Sequence, residues 1–138
     1  MHSNAEESLM LPVNVDNVIA ATTFVVERLS AIGCPAKAQA QISVIIDEIF
    51  SNIVRHARGA KTAEIRFSFD PETRMVHLTF SDEGAPYNPI RHEEPNVSLP
   101  IEKRKIGGLG IFLVRKLSDG LSYEYANGKN ILHVDKRI

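Results

Sequence analysis

Apolar positions change their spacing twice along this chain, and the changes mark out its elements. Val18, Thr22, Val25, Leu29 and Ile32 recur at intervals of four and three, which predicts an amphipathic helix stopped by Gly33. Before it, Ser8 to Val13 reads as a short edge strand ended by Pro12, with Asn14 or Asp16 as the helix cap. Pro35 opens a second helix that ends near Arg58 and Gly59. In it Ile42, Ile45, Ile46, Ile49 and Ile53 share one face, and a face so broad needs something like a sheet to pack on.

The interval then drops to two. Ala63, Ile65, Phe67 and Phe69 alternate with polar residues, Asp70-Pro71-Glu72 makes a turn, and Val76, Leu78 and Phe80 alternate again, so a hairpin with one buried face is expected. Residues 83–106 follow no period and hold Pro86, Pro89, Pro95 and Pro100, the mark of a lid or a disordered segment. A third helix starts at the glycines and runs through Leu109, Phe112, Leu113 and Leu117. Leu121, Tyr123 and Tyr125, the turn Asn127-Gly128, then Leu132 and Val134 form a closing hairpin. Helices gather early and strands late, so the expected fold is α+β: a two-layer α/β sandwich with a mostly antiparallel sheet and helices on one face.

Composition narrows the function. The 138 residues suffice for one domain with a real core, and 43% apolar with 24% charged residues is ordinary for a globular chain. A formal net charge of -1 gives no footprint for nucleic acid or an anionic membrane. The longest apolar stretch, Val18 to Val26, is too short to span a membrane, and no export signal is recognisable, so a cytoplasmic protein is expected. Cys34, the one cysteine, reads as a packed residue between helices, since no base is identifiable beside it. The five histidines show no metal-ligand spacing.

Three motifs carry candidate chemistry. Glu48 and Asn52 lie one turn apart on the second helix, on a stripe with Gln41 and Arg55 that borders the isoleucine face. Two oxygen-bearing side chains at the rim of a buried face can hold a hard cation and orient a hydroxyl; a solvated helix face is the plainer reading. Asp82 ends a strand just before Glu83-Gly84, where a carboxylate could read a nucleobase edge or simply cap the strand in an Asx turn. Gly107, Gly108 and Gly110 open a helix, and bare N–H groups there favour phosphate, although a flexible junction gives the same pattern. No Walker loop and no Rossmann glycine motif is present. Only the ordered combination raises the nucleotide reading above its alternatives.

That combination, Glu48-xxx-Asn52 on a helix, Asp82-x-Gly84 after a strand, a long lid, then Gly108-x-Gly110, closely resembles the Bergerat-fold ATPases: gyrase, the heat-shock-90 chaperone, histidine kinases and MutL. In its compact form, with DEIFSNIVRHA, DEGAPYNP and GGLGIFLVRKLSD, the chain is most similar to the bacterial anti-sigma-factor serine kinases. The likeness runs from the first helix to the closing hairpin. It implies an ATP-dependent protein serine/threonine kinase of one domain, residues 1–138, with an ATP lid at about 86–106. ATP and Mg2+ are the implied cofactors. Asn52 would be the magnesium ligand, Glu48 the general base or hydroxyl-orienting residue and Asp82 the adenine reader. Arg55 or His56 could approach the phosphates. Gly84, Lys105, Gly107, Gly108, Leu109 and Gly110 would complete the nucleotide contacts. Where many members have a second glycine soon after Asp-x-Gly, this chain has Ala85-Pro86-Tyr87-Asn88-Pro89, a character of the small kinases.

Gyrase-like or MutL-like activity calls for a further domain, and a histidine kinase for a dimerising helical segment, for which the chain has no room. The resemblance therefore implies a kinase that phosphorylates a serine on a STAS-type anti-sigma antagonist and sequesters a sigma factor. It also implies a homodimer that binds neither nucleic acid nor membrane directly. A non-catalytic, nucleotide-gated binding module in a partner-switching pathway is the alternative; Glu48 favours the enzyme.

Overall fold

The computed structural model describes residues 6–90 and 106–138. In chain order the elements are β1 (Glu7–Pro12), α1 (Asn17–Ala31), α2 (Ala36–His56), β2 (Thr62–Asp70), β3 (Met75–Asp82), α3 (Ile106–Leu117), β4 (Gly120–Ala126) and β5 (Lys129–Arg137). The strands form one sheet in the order β1-β2-β3-β5-β4, and every pairing is antiparallel. This is the α+β architecture expected from the pattern. Residues 91–105, most of the segment read as a lid, lie outside the described residues, and Lys105 with them.

The sheet's two faces follow from strand alternation. Ile65 pairs with Phe80 and Phe80 with Leu132, and these side chains are buried together with Phe67, Leu78, Val76 and Val134. Their neighbours Glu64, Arg66, Thr79, His77 and His133 point to the opposite face, which is polar. On the buried face α2 lies between α1 and α3 and contributes Ile42, Ile45, Ile46, Ile49 and Phe50, none more than 1% exposed.

Turn chemistry sets where each element stops. Gly33, at φ +73, ends α1 in a Schellman turn: its N–H donates to the Ser30 carbonyl and the Cys34 N–H to that of Leu29. Asn127 and Gly128, both at positive φ, make the tight turn between β4 and β5. The start of α1 differs from expectation. Neither Asn14 nor Asp16 caps it by a side chain; the Asn17 and Val18 N–H groups donate instead to the Asn14 and Val15 carbonyls, and Asn14 Oδ1 accepts from the Asp16 N–H. Backbone carbonyls thus take donors that a cap would have satisfied. Pro35 stands at the N-cap, one residue before α2 begins.

Connections between elements fix the direction of the helices. The C-terminal turn of α2 meets the end of β3, where the Ala85 N–H donates to the Arg58 carbonyl at 2.9 Å. The start of α2 lies at the other end of the sheet, where the Cys34 thiol feels the charge of Arg74 in the β2–β3 turn. Helix α3 runs the opposite way. Its last carbonyls lie near β5, with Lys136 Nζ donating to Leu117 O at 2.6 Å. The two helices are antiparallel, and the start of α3 and the end of α2 share the same end of the sheet.

Because Ile46 is fully buried on α2, Ile46→Ala should destabilise the protein by about 2–5 kcal/mol. Urea unfolding measures this, and a loss near zero would mean that the surroundings collapse into the space.

Candidate functional site

A cleft of about 410 Å³, counting the open solvent at its mouth, lies where α2, α3 and the ends of β3 and β5 converge. Its walls are mostly apolar, from Ile49, Ile53, Phe80, Ile111 and Leu132, and its polar groups are few: Asn52, His56, Asp82, Tyr87, Tyr123 and Asn130. A mostly apolar recess with a few convergent polar groups, in this size range, is the usual form of a small-molecule site.

Asn52 lies deeper than the rim position expected of it. The residue is only 7% exposed, and its Oδ1 is buried with no hydrogen-bond partner among the described residues. An orphaned buried acceptor is costly unless something else completes it, so a solvated helix face is excluded for this position. Among the described residues no group of three or more His, Cys, Asp or Glu side chains could cage a metal. A single amide oxygen nevertheless suits Mg2+, which keeps several waters and takes few protein ligands when it also binds phosphates.

Asp82 stands at the other side of the cleft in a completed network. Its Oδ1 accepts from the Gly84 N–H at 2.8 Å and from Asn130 Nδ2 at 3.0 Å, so the Asx turn foreseen from sequence is present. Both bonds from described residues fall on Oδ1. Gly84 is required here for space: a Cβ on it would lie 2.8 Å from the Ala57 backbone carbon and 3.0 Å from Asp82 Oδ1.

Asn130 holds this corner together, and the sequence reading missed it. Its Nδ2 also contacts the Ala85 carbonyl at 3.0 Å and that of Gly84 at 3.3 Å. Its Oδ1 accepts from the Tyr87 N–H at 2.9 Å and from the Tyr123 hydroxyl. Burial pushes the Tyr123 phenol above its ordinary pKa, partly offset by a hydrogen bond with the Tyr87 backbone. A signal was available: Asn130 shares strand parity with the buried Leu132 and Val134, and a polar residue at an inward position calls for an explanation.

The remaining candidates divide. His56 lines the cleft and stacks on Tyr87, with ring centroids 4.3 Å apart and planes 9° from parallel. Arg55 is exposed and stands outside the lining. Gly107, Gly108 and Leu109 fall in the first turn of α3. Gly110 is buried in the same helix against Glu48. Glu48 itself is half-buried, and burial pushes its carboxyl above the ordinary glutamate range; Asp47 pushes the same way and Arg55 opposes them. Cys34 is buried, its thiol raised by burial, as expected of a packed residue.

Residues 11–136 match the histidine kinase-like ATPase domain family, and the chain belongs to that family. Among named proteins it is 31% identical over 98 residues to the serine/threonine-protein kinase BtrW of Bordetella bronchiseptica, covering 70% of this chain and 69% of that one. It is 25% identical over 130 residues to the serine-protein kinase RsbW of Listeria innocua, covering 91% and 83%. The crystal structure of the SiaB-SiaC complex from Pseudomonas aeruginosa contains the same fold, with a TM-score of 0.63 at 13% identity over 96% of this chain and 89% of that one.

Asn130→Ala should destabilise the protein by about 1–3 kcal/mol, because it takes away the amide oxygen that accepts from the Tyr87 N–H and the Tyr123 hydroxyl and removes a donor from the buried Asp82 carboxylate. Chemical denaturation beside a variant of the exposed Thr23 supplies the check: equal losses would mean that water replaces the Asn130 amide.

Proposed function

We propose that this protein is a serine/threonine kinase that binds MgATP in the cleft and transfers the γ-phosphoryl group to a serine of a partner protein. The buried Asn52 Oδ1, without a partner among the described residues, carries the reading, since it offers a hard oxygen ligand within a recess whose other polar wall holds Asp82. Membership of the ATPase family and likeness to two proteins named as serine kinases support it.

Each residue has a part in this reading. Asp82 accepts a hydrogen bond from the purine amino group through Oδ2, with Oδ1 held by Gly84 and Asn130. Apolar walls from Ile49, Phe80, Ile111 and Leu132 exclude water from the base. His56 and the N–H groups that open α3 face the phosphates. Magnesium, held by Asn52 Oδ1 with phosphate oxygens and water, would neutralise charge on the transferring group. Glu48 takes the proton of the serine hydroxyl as the serine oxygen bonds to phosphorus and the bond to the ADP oxygen breaks. The protein's contribution is thus mainly positioning and charge compensation, as phosphoryl transfer generally requires.

The partner class follows from the resemblance to anti-sigma-factor kinases: a STAS-type antagonist as phosphoacceptor, a sigma factor held by the ATP form, and a homodimeric kinase. Among the described residues no helix is long and apolar enough to cross a membrane.

Asn52→Ala should lose magnesium-dependent ATP binding while keeping the fold, because the amide oxygen removed makes no hydrogen bond to any described residue. Titration calorimetry decides this, and an unchanged affinity for MgATP would remove Asn52 from the site. Glu48→Gln should bind MgATP normally and transfer phosphate ~10²–10⁴-fold more slowly. Normal binding by the unaltered protein with no transfer to any serine-bearing partner would leave a nucleotide-gated binding module.

A further inference from the structure

Gly110 sits in α3 with an ordinary helical backbone; it is not among the glycines at positive φ. Its conformation therefore does not require glycine, and alanine would suit a helix better. Space is what requires it. A Cβ at position 110 would lie 2.1 Å from Glu48 Oε2, closer than real atoms approach, and a tight 3.1 Å from Glu48 Cδ. The carboxylate occupies the volume that any side chain there would fill.

We propose that Gly110 is a positioning residue for Glu48: its missing side chain forms the notch in α3 that holds the carboxylate in the seam between α2 and α3. This rests on the reading of Glu48 as the base. It assigns Gly110 a role apart from close approach to the nucleotide, the part implied for it by its place in the Gly108-x-Gly110 motif. The antiparallel course of the two helices brings the middle of α2 against the first turns of α3. Among the described residues, the charged groups felt at Glu48 are Asp47 and Arg55, both on α2, and Gly110 of α3 meets it with bare backbone. Burial in this seam is also the first cause of the raised Glu48 pKa.

Gly110→Ala separates the two roles. The atom nearest the new methyl is the far end of a flexible side chain, so Glu48 should swing out toward solvent and the helix should stay intact. Urea stability should be kept. In the 13C-glutamate-labelled full chain, with the Glu48 signal assigned by its loss in Glu48→Gln, the Glu48 titration midpoint should fall, because exposure relieves the burial that raises it. Affinity for MgATP should stay within a few-fold. The saturating rate of phosphoryl transfer, to a partner serine or to water, should drop roughly 10–100-fold, since a small misplacement of a base is enough. Its acidic limb should move to lower pH with the midpoint. In the Glu48→Gln background the same substitution should cost no further rate.

An unchanged Glu48 midpoint in Gly110→Ala overturns the proposal. So does weaker MgATP binding with an unchanged saturating rate, which would mark Gly110 as a nucleotide-contact glycine. If the unaltered protein transfers phosphate to neither acceptor, the kinase reading fails by itself, and the titration still decides whether Gly110 places Glu48.

Discussion

The cleft depends on the rotation of α2 about its own axis, and that rotation is fixed by burying Ile42, Ile45, Ile46, Ile49 and Phe50 against the sheet. At about 100° per residue, the same constraint places every polar residue on the helix. His56 and Asn52 turn toward the buried face, Glu48 lies further round at the seam with α3, and Arg55 lies further still and is exposed. A one-residue slip in one sense would bring Arg55 inward, and in the other it would carry Asn52 out. The hydrophobic contact thus acts as the positioning device for the polar chemistry, at the scale of several kcal/mol that such a face supplies.

Against that helix the strand ends bring a second group of buried polar atoms, and the two groups are treated differently. Around Asp82 the accounting is complete on one oxygen: Gly84, Asn130, Tyr87 and Tyr123 link β3, β5, β4 and the segment after β3. Such a network rigidifies when every member is satisfied. On the α2 side, Asn52 Oδ1 has no hydrogen-bond partner among the described residues. A fold that satisfies one wall of a cleft and leaves an acceptor bare on the other has spent stability there, and a ligand that completes the acceptor recovers it.

Most of this fold was legible in the sequence because its signals are local. The change of period from 3.6 to 2 after residue 60, Gly33 at the end of α1 and Asn127-Gly128 at the last turn each act through backbone geometry within a few residues, and each is where the pattern placed it. The site was legible only in part. Glu48, Asn52, Asp82 and His56 came from motifs, yet the motifs could not tell that Asn52 would be buried or that Arg55 would face away from the cleft. Asn130 and Tyr123 depend on strand pairing across β3, β5 and β4, a relation between distant segments. The α1 cap failed because neighbouring carbonyls competed successfully for the donors.

Glycine shows the same division in miniature. Gly33 and Gly128 are needed for conformation, as their positive φ records. Gly84 and Gly110 are needed for volume, one against the Ala57 backbone and the other against a carboxylate. The second kind is invisible without the partner's position, and it bears most directly on the chemistry. A glutamate drawn into a helix seam loses solvation, so its proton affinity rises. A base of higher proton affinity accepts a hydroxyl proton more readily in the transition state, as long as enough of it remains ionised at the working pH. On the reading of Glu48 as the base, the notch proposed in α3 sets more than its place: by holding it half-buried, it also sets the basicity with which Glu48 meets a serine.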